Sequence, residues 1–110
     1  MAGPLSDVRI LELAGLGALP YGSLRLADMG ADVIRVDRVA EVPAPADRTA
    51  KPYSSWDRGR RSIAVDLKSP AGVETVLRLV DEADVFLEAF RPGVTERLGL
   101  GPEEVLGRKP

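Results

Sequence analysis

Residues 8–38 decide the fold and read VRILELAGLGALPYGSLRLADMGADVIRVDR. Two short apolar runs, at 10–13 and 33–36, are typical of buried parallel strands. A small-residue turn and an amphipathic segment separate them, and Gly30 is placed to end a helix. The segment therefore predicts a strand–helix–strand crossover of about 30 residues. Such a crossover brings the turn after the first strand and the tail of the second to one edge of the sheet, where α/β proteins bind ligands.

The rest of the chain continues to alternate strands and helices. Strands are predicted over 62–67 and 84–88, and shorter helices over about 92–98 and from about 102. Ser69 and Pro70 are placed to begin a longer helix. Its apolar stripe consists of Val73, Val76, Leu77, Val80 and Ala83. This alternation predicts an α/β fold, a Rossmann-like and mainly parallel sheet with flanking helices, and an extended Pro- and Ala-rich loop over 39–57.

The composition restricts the possible classes of protein. With 110 residues, 45% of them hydrophobic and 29% charged, the chain is expected to form a single small globular domain. The lack of cysteine excludes disulfides and thiolate chemistry. A net charge of −2 argues against a nucleic-acid partner, and no apolar run approaches the roughly 20 residues that cross a membrane. The first residues lack the pattern of a signal peptide, so a cytoplasmic protein is expected.

The turn after the first predicted strand resembles a dinucleotide-binding fingerprint. Gly15 and Gly17 have the right spacing, Pro20 replaces the third glycine, and Asp37 lies where a ribose-binding acid would be found. Backbone N–H groups at such a turn can bind an anion. However, the third glycine normally permits close helix–strand packing, which proline does not provide in the same way. A nicotinamide or flavin site is therefore the less favoured interpretation.

Basic residues lie at three predicted strand ends: Arg38, Lys68 and Arg91. An arginine fork can bind phosphate with two hydrogen bonds, and Arg91 and Arg97 flank the start of a short predicted helix. Residues 38–61 also hold six cationic and three acidic side chains. A solvated loop whose arginines aid solubility would explain that segment by itself. Together, the cations at the strand ends predict a nucleotide ligand with several phosphates.

Candidate catalytic groups are few. The chain has no histidine and no cysteine, and its carboxylates lack the spacing of metal ligands. Four carboxylates near strand ends could in principle transfer protons: Glu12, Asp37, Asp66 and Glu88. Each is more typical of a structural cap or an ion-pair partner. The sequence therefore predicts no catalytic residue and no metal site within this chain.

Four stretches resemble the opening of the α-methylacyl-CoA racemases, a branch of the family III CoA-transferase superfamily. They are residues 5–15, 26–38, 58–68 and 90–102, in the same order and over nearly the whole chain. Three details favour the racemase branch. Asp37-Arg38 stands where transferases more often have Glu-Pro, the 39–57 loop is of modest length, and residues 90–94 read FRPGV.

The resemblance implies a Rossmann-like domain that binds the ADP part of CoA, in a homodimer whose two chains are interlocked. By position, Arg38 would contact the phosphate or adenine end of the nucleotide, and Arg91 and Arg97 would add positive charge. The adenosine site would be lined by Val65, Asp66, Leu67 and Lys68. Leu16 would lie near the reacting acyl group. No separate cofactor is implied, because CoA is part of the substrate.

The reaction implied is the interconversion of (R)- and (S)-2-methylacyl-CoA thioesters, in which an α-proton is removed and returned on the opposite face. In the family, the racemase acid and base and the transferase's nucleophilic aspartate follow the region that matches this chain. The chain is therefore expected to be the N-terminal portion of a longer protein, inactive by itself. Two alternatives remain, a CoA-transferase that moves CoA between carboxylic acids and a non-catalytic CoA-binding fragment.

Overall fold

The computed structural model describes residues 3–15, 18–39 and 58–108. Almost all of the predicted 39–57 loop, and Leu16 and Gly17 of the glycine turn, lie outside the described residues. The elements in chain order are β1 (Arg9–Leu13), α1 (Ala18–Asp28), β2 (Asp32–Arg38), β3 (Arg60–Val65), α2 (Pro70–Asp81), β4 (Val85–Leu87), α3 (Val94–Leu98) and α4 (Pro102–Arg108). None of the described helices is both long enough and apolar enough to span a membrane.

The four described strands form one parallel sheet in the order β3-β2-β1-β4. In register, Leu13 of β1 faces Val36 of β2, and Arg38 at the end of β2 faces Val65 at the end of β3. The predicted α/β class and the predicted crossover over 8–38 are confirmed. Because all four strands are parallel, their carboxyl ends share one edge of the sheet.

The sheet packs against helices on both faces, as a parallel sheet requires. Side chains alternate between the faces, so neighbouring residues of β1 enter different cores. On the α1 face, a small core contains Ile10, Ala31 and Val33. On the opposite face lies the main core, to which α2, the segment after α3 and α4 contribute Val76, Val80, Leu100 and Val105. Val76 and Val80 belong to the apolar stripe predicted for α2, which is confirmed.

The prediction of a strand over 62–67 was displaced by two residues. The ladder between β2 and β3 begins where Val33 faces Arg60 and ends where Arg38 faces Val65. Since β2 ends at Arg38, no partner remains for the residues after Val65. The chain turns there instead, and the carbonyl oxygen of Asp66 accepts a hydrogen bond from the backbone N–H of Ser69 at 3.2 Å. Pairing with β2, rather than the apolar pattern of the strand itself, therefore determines where β3 begins.

Gly72 brings the first turn of α2 against the end of β3. A Cβ atom at this position would lie 1.9 Å from the carbonyl oxygen of Asp66, closer than two atoms can approach. Only glycine therefore permits this packing without displacement of the backbone. The guanidinium of Arg108 pairs with Asp81 at the end of α2, at 2.7 Å, and with Glu74 earlier in the same helix, at 3.3 Å, which joins α4 to α2.

Candidate functional site

The carboxyl edge of the sheet collects most of the residues predicted to bind a ligand. Arg38 ends β2 beside Val65, and the exposed side chain of Lys68 follows in the turn after β3. On the other side of β1, β4 ends at Leu87 and leads to Arg91. The chain's first strand thus lies between its second and fourth strands. In doubly wound sheets a change of direction of this kind marks the crevice where ligands bind.

A contact across this edge joins the two sides. The guanidinium carbon of Arg38 lies 5.3 Å from the centroid of the Phe90 ring. This distance is within the range of a cation–π interaction. The sequence did not predict this contact, because the contact depends on β2 and β4 lying on either side of β1, and that strand order is seen only in the structure. The signal in the sequence that could have indicated it is Phe90, an aromatic residue next to Arg91 and shortly after β4.

The turn after β3 offers a ligand backbone groups and two exposed side chains. Val65 and Leu67 are buried in the main core, so their side chains support the turn and are not available to a ligand. Asp66 and Lys68 are exposed, and a carboxylate oxygen of Asp66 accepts a hydrogen bond from the backbone N–H of Lys68 at 3.0 Å. This contact, together with the close packing at Gly72, holds the shape of the turn.

Arg91 and Arg97 lie in the exposed segment that follows β4. Gly93 has φ of 88° and begins the five-residue helix α3, which explains the glycine at this position. The carbonyl oxygen of Arg91 accepts a hydrogen bond from the N–H of Val94, and that of Gly93 accepts one from the N–H of Arg97, both at 3.1 Å. A Cβ atom added at Gly93 would be 3.9 Å from Nη1 of Arg97. The Arg97 guanidinium therefore lies back near the start of α3.

Ion pairing separates the cations of this edge from most arginines elsewhere. The paired arginines are Arg9 with Glu82, Arg35 with Asp37, Arg58 with Asp28, Arg60 with Glu12, Arg61 with Asp32, and Arg108 with Asp81 and Glu74. Within the described part of the chain, no carboxylate lies within ion-pair distance of Arg38, Lys68, Arg91 or Arg97, nor of Arg25 and Arg78 on the helices. The four predicted cations therefore remain available to an anion.

The basic segment 38–61 contributes less charge to this edge than its composition suggests. Arg58 forms hydrogen bonds with Asp28, and this contact lowers the pKa of that carboxyl group below its usual value. Arg60 and Arg61 pair with carboxylates of β1 and β2. Among the described residues of the segment, only Arg38 remains without a carboxylate partner.

A buried ion pair on the α1 face was not predicted. The side chains of Glu12 and Arg60 are 0% and 2% exposed, and Oε1 of Glu12 lies 3.0 Å from Nη1 of Arg60. The same oxygen accepts a hydrogen bond from the hydroxyl of Ser23 in α1 at 2.6 Å. Arg60 Nη1 also donates to the carbonyl oxygen of Pro20 at 3.5 Å. The group joins β1, β3 and α1, and it holds Glu12 in a structural role.

The other three candidate carboxylates are also held by neighbouring groups. Oδ2 of Asp37 accepts hydrogen bonds from the Ser62 hydroxyl and, at 3.1 Å, from Nε of Arg35. Glu88 accepts one from the backbone N–H of Phe90 at 2.8 Å, and Asp66 caps the turn described above. The expectation of caps and ion-pair partners is confirmed for all four carboxylates. Asp37 is engaged on the α1 face, which weighs against a ribose-binding role and the dinucleotide interpretation.

The described residues enclose a cavity elsewhere. An open cavity of about 630 Å³ runs along β4 and α4 and is lined mainly by apolar side chains, among them Phe86, Leu100 and Leu106. None of the seven predicted binding residues lines it. Within the described ranges, no group of three side chains could hold a metal ion. The apolar cavity and the cationic edge are therefore separate features of the described chain.

Comparison with known proteins is decisive for the family. Residues 5–110 match CoA-transferase family III. The chain belongs to this family. Its sequence is 44% identical to the α-methylacyl-CoA racemase of Mus musculus over 106 residues, which cover 96% of this chain and 26% of that protein. It is 37% identical to a probable fatty acyl-CoA transferase of Mycobacterium tuberculosis over 123 residues, which cover 99% of this chain and 30% of that protein.

Solved structures of family III proteins share the fold. An orthorhombic crystal form of the mycobacterial protein superimposes with a TM-score of 0.85 at 40% identity, covering 99% of this chain and 30% of that one. A CAIB/BAIF family protein from Brucella suis gives a TM-score of 0.84 at 33% identity, covering 100% and 32%. The chain thus spans about a quarter to a third of the length of these family III relatives. The predicted family, and the match to its N-terminal portion, are confirmed.

Proposed function

We propose that the carboxyl edge of the sheet binds the ADP part of an acyl-CoA thioester. The observation that carries this proposal is the set of cations at that edge, Arg38, Lys68, Arg91 and Arg97, which lack carboxylate partners within the described chain. The nucleotide end of CoA carries a diphosphate and a 3′-phosphate, whose charge these side chains can balance. Charge-assisted hydrogen bonds to phosphate are about twice as strong as neutral ones.

The roles we propose differ along the edge. Arg38 supplies a planar guanidinium that can meet a phosphate with two parallel hydrogen bonds. The turn at 65–68 supplies backbone groups for the adenosine, since Val65 and Leu67 direct their side chains into the core, and Lys68 adds an ammonium group. Arg91 and Arg97 add positive charge from the exposed segment after β4. The binding energy of this remote handle would position the acyl group for reaction.

For the full-length protein we propose racemisation of 2-methylacyl-CoA thioesters, with a homodimer of interlocked chains as the functional assembly. The proposal is supported by 44% identity to α-methylacyl-CoA racemases of mouse and human, and by the Asp37-Arg38 pair. The thioester carbonyl acidifies the α-proton, and stabilisation of the enolate lowers the barrier to its removal. The four candidate carboxylates of this chain already hold structural contacts, so the acid and base would come from the rest of the protein.

CoA transfer between carboxylic acids is the second candidate. It is supported by the similarity to the mycobacterial transferase and by 40% identity to a succinyl-CoA–D-citramalate CoA-transferase of Chloroflexus aurantiacus. The two activities have separate readouts. Deuterium incorporation at the α-carbon of a 2-methylacyl-CoA in D₂O reports racemisation, whereas formation of a new thioester from an added free acid reports transfer.

Calorimetric titration tests the binding site itself. We expect CoA to bind, dephospho-CoA to bind more weakly because one phosphate is missing, and NADP to bind more weakly than CoA. Arg38→Ala should weaken CoA binding by tenfold or more, while the matched variant Arg78→Ala, on the outer surface of α2, should not. Tighter binding of NADP than CoA, or equal affinity of the two variants, would contradict the proposed site.

A further inference from the structure

Phe90 is placed to control the direction of the Arg38 side chain. The guanidinium carbon of Arg38 lies 5.3 Å from the centroid of the Phe90 ring. Within the described chain, no hydrogen bond or ion pair holds the Arg38 side chain. The aromatic ring is therefore the described group that restrains this exposed side chain.

The ring itself is held from two directions. The backbone N–H of Phe90 donates a hydrogen bond to a carboxylate oxygen of Glu88 at 2.8 Å, which fixes the chain just after β4. The partly buried Phe90 side chain also packs against the main core. Phe90 is thus anchored to the body of the sheet, whereas Arg38 is exposed. An anchored aromatic ring beneath an exposed cation limits the orientations that the cation can adopt.

We propose that Phe90 is a positioning residue that holds the Arg38 guanidinium over the carboxyl edge of the sheet, oriented for a phosphate of CoA. The proposal rests on the proposed function for the identity of the ligand. A guanidinium over a ring keeps its N–H donors free at its edge, so it can contact the ring and a phosphate together. Ordering the side chain before the ligand arrives reduces the entropy lost on binding. Because Arg38 ends β2 and Phe90 follows β4, the contact also directs the cation across the end of β1, which lies between them.

The first test needs no ligand. In ¹H–¹⁵N NMR spectra of the free chain, the Arg38 Nε–Hε proton should resonate upfield because of the ring current of Phe90. Phe90→Leu should abolish that shift, and Phe90→Tyr, which keeps the ring, should retain it. Phe86→Leu is the matched control, because the chain's other phenylalanine packs against the same core from β4. An Arg38 resonance that does not respond to Phe90→Leu would overturn the proposal.

The second test measures the effect of Phe90→Leu on CoA affinity twice, in the otherwise unaltered chain and in the Arg38→Ala variant. Phe90→Leu should weaken CoA binding by about two- to five-fold, the effect of an exposed cation–π contact, and Phe90→Tyr should restore it. Phe86→Leu should lower the melting temperature without changing the affinity. In the Arg38→Ala background, Phe90→Leu should have almost no effect on affinity. Equal weakening in both backgrounds would mean that Phe90 acts on CoA without Arg38, and would overturn the proposal.

The two tests separate this proposal from the proposed function. If the unaltered chain binds no CoA, the proposed function fails, and with it the ligand assigned to Arg38, while NMR still reads the contact between Arg38 and Phe90. If CoA binds but Phe90→Leu changes neither the NMR shift nor the affinity, the proposed function stands and the positioning role is wrong.

Discussion

Replacement of Arg60 by methionine tests the buried ion pair most directly. The side chains of Glu12 and Arg60 are almost completely buried, and their charged atoms are 3.0 Å apart. Arg60→Met would leave the Glu12 carboxylate buried with the Ser23 hydroxyl as its remaining described partner. Loss of one partner of a buried pair costs about 3–5 kcal/mol of unfolding free energy, because the other charge stays buried without compensation. That is a large share of the roughly 5–15 kcal/mol that stabilises a typical domain.

Arg61, which follows Arg60 in the sequence, provides a matched control for the effect of burial on an ion pair. Arg61 pairs with Asp32 at the shorter distance of 2.8 Å, but their side chains are 67% and 45% exposed. Solvent screens such a pair, so Arg61→Ala should cost at most about 1 kcal/mol. Urea unfolding followed by circular dichroism measures both losses. If the two substitutions cost the same, burial does not determine the strength of these pairs and the argument is refuted.

A double variant keeps the test informative if Arg60→Met does not fold. Glu12→Gln combined with Arg60→Met removes both charges and keeps an oxygen that can accept the hydrogen bond from Ser23. Replacing both partners of a buried pair is often close to neutral, so the double variant should recover most of the lost stability. A double variant no more stable than Arg60→Met alone would show that the cost came from lost packing rather than from an uncompensated charge.

Four further predictions concern binding, packing, pH and catalysis. Arg38→Ala in the full-length protein should cost about 1.5–3 kcal/mol of CoA binding free energy without lowering the melting temperature; calorimetry and thermal unfolding together check this. Gly72→Ala should destabilise the chain and disturb CoA binding, because its Cβ would overlap the carbonyl oxygen of Asp66; a melting temperature equal to that of the unaltered chain would exclude the clash. The hydrogen bond from Arg58 lowers the pKa of Asp28, so its stabilising effect is present above the unfolded-state pKa and is lost as the pH falls through the lower folded-state value. Arg58→Ala should therefore return the pKa of Asp28 towards its usual value in an NMR titration, and an unchanged pKa would contradict the assigned cause. The 110 residues alone should exchange the α-proton of a 2-methylacyl-CoA in D₂O no faster than buffer, since they include no histidine and their four candidate carboxylates hold structural contacts.

The local pattern of apolar residues was sufficient to predict most of the sheet, but it did not predict where β3 begins. The sequence predicts β1, β2 and α2 directly, because the positions that these elements bury are occupied by apolar residues. The first residues of β3 are Arg60 and Arg61, which resemble a charged loop. Their strand conformation follows from pairing with Val33 and Ile34, residues far away in the sequence. A periodicity argument cannot detect a strand whose assignment depends on its neighbour.

The candidate site, too, was predictable only in part from the sequence. Because parallel strands end at a common edge, the basic residues that follow them could be grouped from the sequence alone. Their availability could not be predicted, because ion-pair partners are separated by long stretches of chain. Arg61 meets Asp32 across 29 residues, Arg60 meets Glu12 across 48, and Arg9 meets Glu82 across 73. The distinction between structural arginines and arginines available to an anion thus appears only in the folded chain.

The strand order explains why the cations lie at one edge of the sheet. β1 lies between β2 and β4, and its carboxyl end continues into Ala14 and Gly15, which carry no charge and little bulk. A Cβ atom at Gly15 would meet no described atom within 4 Å. Arg38 reaches this edge from one side and the segment containing Phe90 from the other, and their contact crosses the end of β1. Small residues thus follow β1, whereas Arg38 at the end of β2 and Arg91 after β4 place positive charge on either side of it, at the point where the winding of the sheet reverses. Under the proposed function, a phosphate at this edge would meet positive charge from both sides of β1, which neither side could provide by itself.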